Sequence, residues 1–265
     1  MKAHLYAQRR KFFYILFLLC CTLQAKAQAD TLSLFDTSRQ RRIPIAIYNP
    51  KDQPQTSNHS NSKLLPLVIF SHGYGANQGG DYLRYSFLNS FLARQGYVVV
   101  SIQHELPTDD LIPSAGPPQV VRRPFWERGV ENIHFVLLTL KRDHSELDFS
   151  QVTLIGHSNG GDMTALYPVL YPGTVSRIIT LDNRRMALPR TKTPRVYSLR
   201  SSDFPADEDV LPTPAEAKEF GIIIQPLTDM PHNNMSDAGN PQQQDTIREY
   251  ILRYLKEPLS LPANR

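Results

Sequence analysis

From residue 42 onward the chain alternates short apolar runs with longer amphipathic or polar stretches. Arg42 to Tyr48 carries Ile43, Ile45 and Ile47 at every second position, the period of a strand with one buried face. Leu64 to Phe70, Tyr97 to Ile102 and Val152 to Ile155 are instead apolar without alternation, and at four to seven residues each they predict strands buried on both faces. Shorter strands are predicted at Arg177 to Leu181, Arg195 to Leu199 and Ile222 to Leu227. Between them, helix-like spacing runs from about Tyr82 to Arg94, through Val130, Ile133, Val136, Leu137 and Leu140, from Gly160 to Leu170, and from about Gln242 to Leu255. Strands that alternate with helices predict a mostly parallel, doubly wound sheet covered by helices on both faces, an α/β class in one domain. Two polar interruptions are expected to be loops: Lys51 to Lys63, and the proline-rich His104 to Pro124 over the top of the molecule.

The first residues follow a different pattern. Basic positions Lys2, Arg9, Arg10 and Lys11 precede twelve mostly apolar residues, Phe12 to Leu23, and then Ala25-Lys26-Ala27. This order predicts a secretory signal peptide over residues 1–27, cleaved near Ala27, with a domain over 28–265 exported to a periplasm or outside the cell. The apolar run is shorter than the roughly 20 residues of a membrane span.

That segment changes the charge reading. The full chain has a net charge of +4 and a pI near 9.0, which alone raises polyanion binding. Residues 1–27 hold five of the 29 basic residues and none of the 25 acidic ones, so the remainder stands near −1. Both cysteines, Cys20 and Cys21, lie there too, which excludes a disulfide or a cysteine-ligated metal in the rest. Neither nucleic acid nor a stable membrane span is expected as a partner.

Chemistry concentrates at Gly156-His157-Ser158-Asn159-Gly160-Gly161, between the strand at Val152 and the helix that follows. Gly-x-Ser-x-Gly in that context is a nucleophile elbow: the serine takes a strained backbone, and the glycines remove side chains that would clash. Ser158 then needs a base and a group to orient that base. In this arrangement both follow the serine in the chain, and of the eight histidines only His232 does, in Asp229-Met230-Pro231-His232-Asn233-Asn234 after the last strand. Two acids fit, Asp182 after the strand at Ile178 and Asp203 after the next one. Gly73 to Gly79 does not match the dinucleotide fingerprint, and neither a P-loop nor His-Glu-x-x-His is present, so no cofactor or metal is expected.

From Arg42 to Asp237 the chain resembles the branch of α/β-hydrolases that holds platelet-activating-factor acetylhydrolases and dienelactone hydrolases. The likeness rests on Pro66 to Gly75, on Gly156 to Gly161, on Leu181-Asp182 with Met186 and Pro189 behind, and on His232-Asn233-Asn234. It implies an α/β-hydrolase fold, Asp182 as the acid with Asp203 in reserve, and an oxyanion hole from the backbone N–H groups of Tyr74 and Asn159. The chain departs from the branch at Asn159, where a larger apolar residue is often found, and in the His104–Pro124 segment. The expected chemistry is hydrolysis of a small-molecule carboxylic ester through an acyl-enzyme on Ser158. Acyl transfer or amide hydrolysis on the same three residues is the alternative, and a non-catalytic binding protein the remote one. Tyr74, Trp126 and the proline-rich loop are expected to line an apolar acyl pocket.

Overall fold

The computed structural model describes residues 29–50 and 64–259. The leader expected over residues 1–27 and the loop expected at Lys51–Lys63 therefore lie outside the described residues. Among the described residues eight strands form one sheet: β1 (Asp30–Asp36), β2 (Arg41–Tyr48), β3 (Leu65–Ser71), β4 (Val98–Ile102), β5 (Leu147–His157), β6 (Arg177–Leu181), β7 (Arg195–Arg200) and β8 (Ile223–Pro226). Their spatial order is β1-β2-β4-β3-β5-β6-β7-β8. From β4 to β8 every neighbour is parallel, whereas β2 runs antiparallel to both β1 and β4.

Alternation along each strand divides the core into two layers. Leu67, Ile69, Val98, Val100, Leu154 and Ile178 face α3 (Arg123–Asp143) and α4 (Asn159–Leu170). Val68, Phe70, Val99, Ile155 and Ile179 face α1 (Ser86–Arg94) and α6 (Pro241–Lys256). Each fully buried Leu, Ile or Phe contributes about 1.5–3 kcal/mol by leaving water, which is why runs apolar on both sides became the centre of the sheet. The two helices of the first layer approach closely at Gly129, where a Cβ would overlap the Met163 side chain.

Several elements depart from the expectations. β1 was not foreseen: its outer positions are exposed, so Thr, Ser and Asp mask its pairing with β2. The segment expected to be irregular from 104 to 124 contains α2 (Pro118–Val121) and the start of α3. A short helix α5 (Pro214–Phe220), opened by a Thr213–Glu216 capping box, lies between β7 and β8. The helix expected from Tyr82 breaks into a 3-10 turn, Asp81–Leu83, and α1. The cause is a cap from far away: Asp237 accepts from Ser86 N (3.1 Å), Ser86 Oγ (2.9 Å) and Phe87 N (2.9 Å), and so starts α1 at Ser86.

The order of the strands positions the site. After β3 the chain passes to β4 on one side and then returns to β5 on the other, so a crevice opens above the carboxyl ends of β3 and β5. His72 to Gly75 leaves β3 there and Ser158 leaves β5 there. No helix among the described residues is long and apolar enough to cross a membrane.

Candidate active site

Ser158 stands at the junction of β5 and α4 with φ 52° and ψ −119°. Such a backbone costs about 1–3 kcal/mol for a residue with a side chain and persists only where its surroundings enforce it. Here they do: a Cβ at Gly156 would overlap the Gly160 carbonyl, and one at Gly160 would overlap the carbonyl of Ser71 on β3. The Ser158 N–H is held by Leu181 O on β6 (2.9 Å), and Ser158 O accepts from Asp162 N (3.0 Å). The hydroxyl makes no cap to the helix and is free to point into the crevice.

His232 begins a 3-10 turn after β8, and its Nε2 lies 2.9 Å from Ser158 Oγ. Its Nδ1–H donates to Asp182 Oδ2 at 2.5 Å. Asp182 follows β6 with φ 53°, its N–H bonded to Leu199 O (2.9 Å) and its side chain fully buried. The same carboxylate accepts from Ser201 N (3.0 Å), Ser201 Oγ (2.8 Å) and Arg184 Nε (3.1 Å), and Arg200 Nη2 forms an ion pair with its Oδ1 at 2.8 Å. Burial alone would push this carboxyl up. The His232 hydrogen bond, the Arg200 charge and the Ser201 donors outweigh it and hold the carboxyl well below the ordinary carboxylate range. The reserve acid has a different place: Asp203 Oδ1 accepts from the backbone N–H of His232 at 3.0 Å, not from its ring.

His157, next to the serine, ties the crevice together. Its Nε2–H donates to the carbonyl of His232 (3.0 Å), and its ring lies 4.6 Å from that of His232. Its Nδ1 accepts from Tyr85 Oη–H (2.8 Å), and Tyr85 Oη accepts from Gly73 N–H (2.9 Å). This pattern requires a neutral imidazole, and burial lowers its pKa to about 3.

Of the two backbone groups expected at an oxyanion hole, Tyr74 lines the crevice beside Ser158, and Asn159 is the first residue of α4, where an N–H has no acceptor within the helix. The Asn159 side chain turns away into the core: its Oδ1 accepts from Trp126 Nε1–H (2.9 Å) and its Nδ2–H donates to Glu105 Oε1 (2.9 Å). Trp126 is fully buried, so the expectation that it lines an acyl pocket is corrected, as is the apolar character of that pocket. The cleft at Ser158, about 490 Å³, is bordered by Tyr74 and Leu83 but also by Asp81, Arg84, Asn233 and Asp237, and the proline-rich segment takes no part in it. Among the described residues no group of three or more His, Cys, Asp or Glu is placed to hold a metal ion.

No family model matches the sequence, and no curated protein matches it. Solved structures do. A thermostable esterase aligns with TM-score 0.60 and 14% identity over 87% of this chain, which spans only 62% of that longer protein. Esterase Est22 aligns with TM-score 0.62 and 12% identity, over 88% of this chain and 82% of its own. Thermogutta terrifontis esterase 2, solved phosphonylated by cyclosarin, aligns with TM-score 0.60 and 10% identity, over 91% and 97% of the two chains. This chain has the α/β-hydrolase fold.

Within the α/β-hydrolase fold, sequence reasoning missed the residues that surround the three expected ones. Tyr85 sits in a segment expected to be plain helix. Arg184 and Arg200 carried a signal only in being charged beside buried strands, and Glu105 lies in a stretch expected to be surface loop. His157 was visible as a neighbour of the serine, but its bond to the His232 carbonyl depends on a turn 75 residues away.

Proposed function

We propose that this chain is an exported serine hydrolase that cleaves carboxylic esters by way of an acyl-enzyme. The reading rests on one observation: a serine at a strained strand-to-helix turn, 2.9 Å from a histidine whose other nitrogen lies 2.5 Å from a buried carboxylate. His232 takes the proton of Ser158 Oγ as that oxygen attacks the ester carbonyl, and the charge that grows on the carbonyl oxygen meets the N–H groups of Tyr74 and Asn159. His232 returns the proton to the departing alcohol. Water then attacks the acyl-enzyme by the same route and releases the acid. Asp182 holds the histidine in the tautomer that leaves Nε2 free to accept, and it stabilises the imidazolium between steps.

The likeness to platelet-activating-factor acetylhydrolases and dienelactone hydrolases belongs to the sequence strings around Ser71, Ser158, Asp182 and His232, and it favours a short acyl group. The polar border of the cleft supports the same preference and adds a polar alcohol. Export follows from the leader pattern at residues 1–27.

A fluorophosphonate probe tests the reading, and the phosphonylated state of the similar Thermogutta esterase supports this reagent class. The protein is expected to be labelled on Ser158 and to lose labelling in Ser158→Ala. Absence of labelling, or equal labelling of the variant, overturns the proposal.

A further inference from the structure

Glu105 is a carboxyl buried where the proposed reaction has no proton to give it. It follows β4 and is 1% exposed, and among the described side chains its partner is Asn159, whose Nδ2–H donates to its Oε1 at 2.9 Å. Its other oxygen has no hydrogen-bond partner among the described residues and lies 3.8 Å from Nε2 of His72. Burying such a group costs several kcal/mol unless its surroundings use it. Burial pushes the Glu105 carboxyl up, opposed by the charge of Arg128.

What Glu105 touches is specific. Asn159 supplies one of the two proposed oxyanion N–H groups, and its side chain is clamped at both ends: Trp126 on α3 donates to its oxygen and Glu105 accepts from its nitrogen. Because indole only donates and a carboxylate oxygen accepts, the orientation of the Asn159 amide is determined without ambiguity. On the other side His72 Nδ1–H donates to Gly73 O (2.7 Å), the residue before Tyr74, while His72 Nε2 accepts from His104 N–H (3.0 Å). Glu105 is itself pinned, since its carbonyl accepts from Gln103 Nε2–H at 2.9 Å. A single carboxyl therefore stands behind the turn that carries Tyr74 and behind the first residue of α4.

We infer that Glu105 is a positioning residue for the oxyanion site, holding the Asn159 side chain, and through it the Asn159 backbone N–H, against the donor at Tyr74. This rests on the serine-hydrolase reading. It also gives the departure at Asn159 a purpose: an apolar residue there would have nothing to offer Glu105 or Trp126.

The test compares the exported form of the wild type with Glu105→Leu, Glu105→Gln and Trp126→Phe, using a simple acetate ester, a trifluoromethyl ketone that forms a tetrahedral adduct, and thermal unfolding. Glu105→Leu is expected to lower kcat about tenfold to a hundredfold, less than or comparable to deleting an oxyanion donor outright, with KM changed less than about threefold. Affinity for the ketone should weaken by a similar factor, because the adduct carries the oxyanion and the bound ester does not. Glu105→Gln retains an acceptor for Asn159 and should recover most of the loss, and Trp126→Phe, which deletes only the opposite anchor, should weaken the ketone in the same sense. The inference is overturned if folded Glu105→Leu keeps wild-type kcat and ketone affinity, if the losses fall on KM alone, or, where Glu105→Leu does not fold, if Trp126→Phe leaves the ketone affinity unchanged. Failure of the wild type itself to label at Ser158 would instead overturn the underlying reading.

Discussion

Arg200 Nη2 lies 2.8 Å from Asp182 Oδ1, on the side of the carboxylate opposite His232. Both side chains are buried, and Arg200 also donates from Nη1 to Asn183 O (2.6 Å). One oxygen of Asp182 thus answers to the arginine and the other to the histidine. Removing one partner of a buried ion pair leaves the other uncompensated, so Arg200→Met is expected to destabilise the fold by about 3 kcal/mol. Urea denaturation followed by circular dichroism measures it, and a loss below about 1 kcal/mol would mean that Ser201 and Arg184 suffice.

The two candidate acids touch different atoms of the same histidine. Asp182→Asn is expected to lower kcat by about four orders of magnitude, because an amide stabilises the wrong tautomer and no longer balances the imidazolium. Asp203→Asn keeps an oxygen for the His232 backbone N–H and is expected to stay within about fivefold of wild type. Equal losses in steady-state assays of both variants would contradict this division.

Tyr85→Phe deletes one hydroxyl and unpairs two buried groups, the Gly73 N–H and His157 Nδ1. The cost should be about 1–3 kcal/mol in stability. Since Gly73 precedes Tyr74, kcat/KM for an acetate ester should fall as well, and by more than Tm alone would account for.

The pH dependence of stability has a sign that follows from His157. Its pKa, about 3 in the fold against 6.5 ordinarily, is lowered by burial. The stabilisation is therefore fully present above about 6.5 and is lost as pH falls toward 3, by several kcal/mol in total. Asp162 opposes it: burial raises this carboxyl to about 6, so acid relieves a buried charge between about 6 and 3.8. The wider window of His157 prevails. From pH 7 to pH 4.5 the unfolding free energy is expected to fall slightly in the wild type and to rise by about 2 kcal/mol in His157→Gln, where Asp162 responds without the histidine's opposition.

The cleft predicts an acyl-length profile. A long apolar pocket would add about 0.8 kcal/mol for each methylene buried, so octanoate esters would be preferred over acetate. With Asp81, Arg84, Asn233 and Asp237 at the border, kcat/KM for octanoate should be equal to or below that for acetate. A steady rise with chain length would contradict the preference for small, polar esters.

The parts of this fold that could be read from the sequence are those whose cause is local. Val98 to Ile102 is apolar on both faces because it lies inside the sheet, and the elbow glycines are required by clashes within five residues of chain or on the adjoining strand. The start of α1 was not legible, since its cap, Asp237, lies 151 residues away. The polar border of the cleft was hidden for the same reason, as Arg84 and Asp237 meet only after folding. Trp126 misled because an indole near a proline-rich segment looks like a pocket wall, whereas its N–H is spent on Asn159.

The bond from His157 to the His232 carbonyl has a mechanical consequence. Ser158 and His232 are separated by 74 residues, yet the side chain next to Ser158 holds the main chain of His232, so the two share one frame of reference. A displacement of the 229–234 loop would have to stretch this bond as well as the 2.9 Å contact between Ser158 Oγ and His232 Nε2. The spacing of Ser158 and His232 thus has ties besides the contact itself, through His157 to the His232 carbonyl and through Asp203 to its N–H, and does not rest on the intervening chain alone.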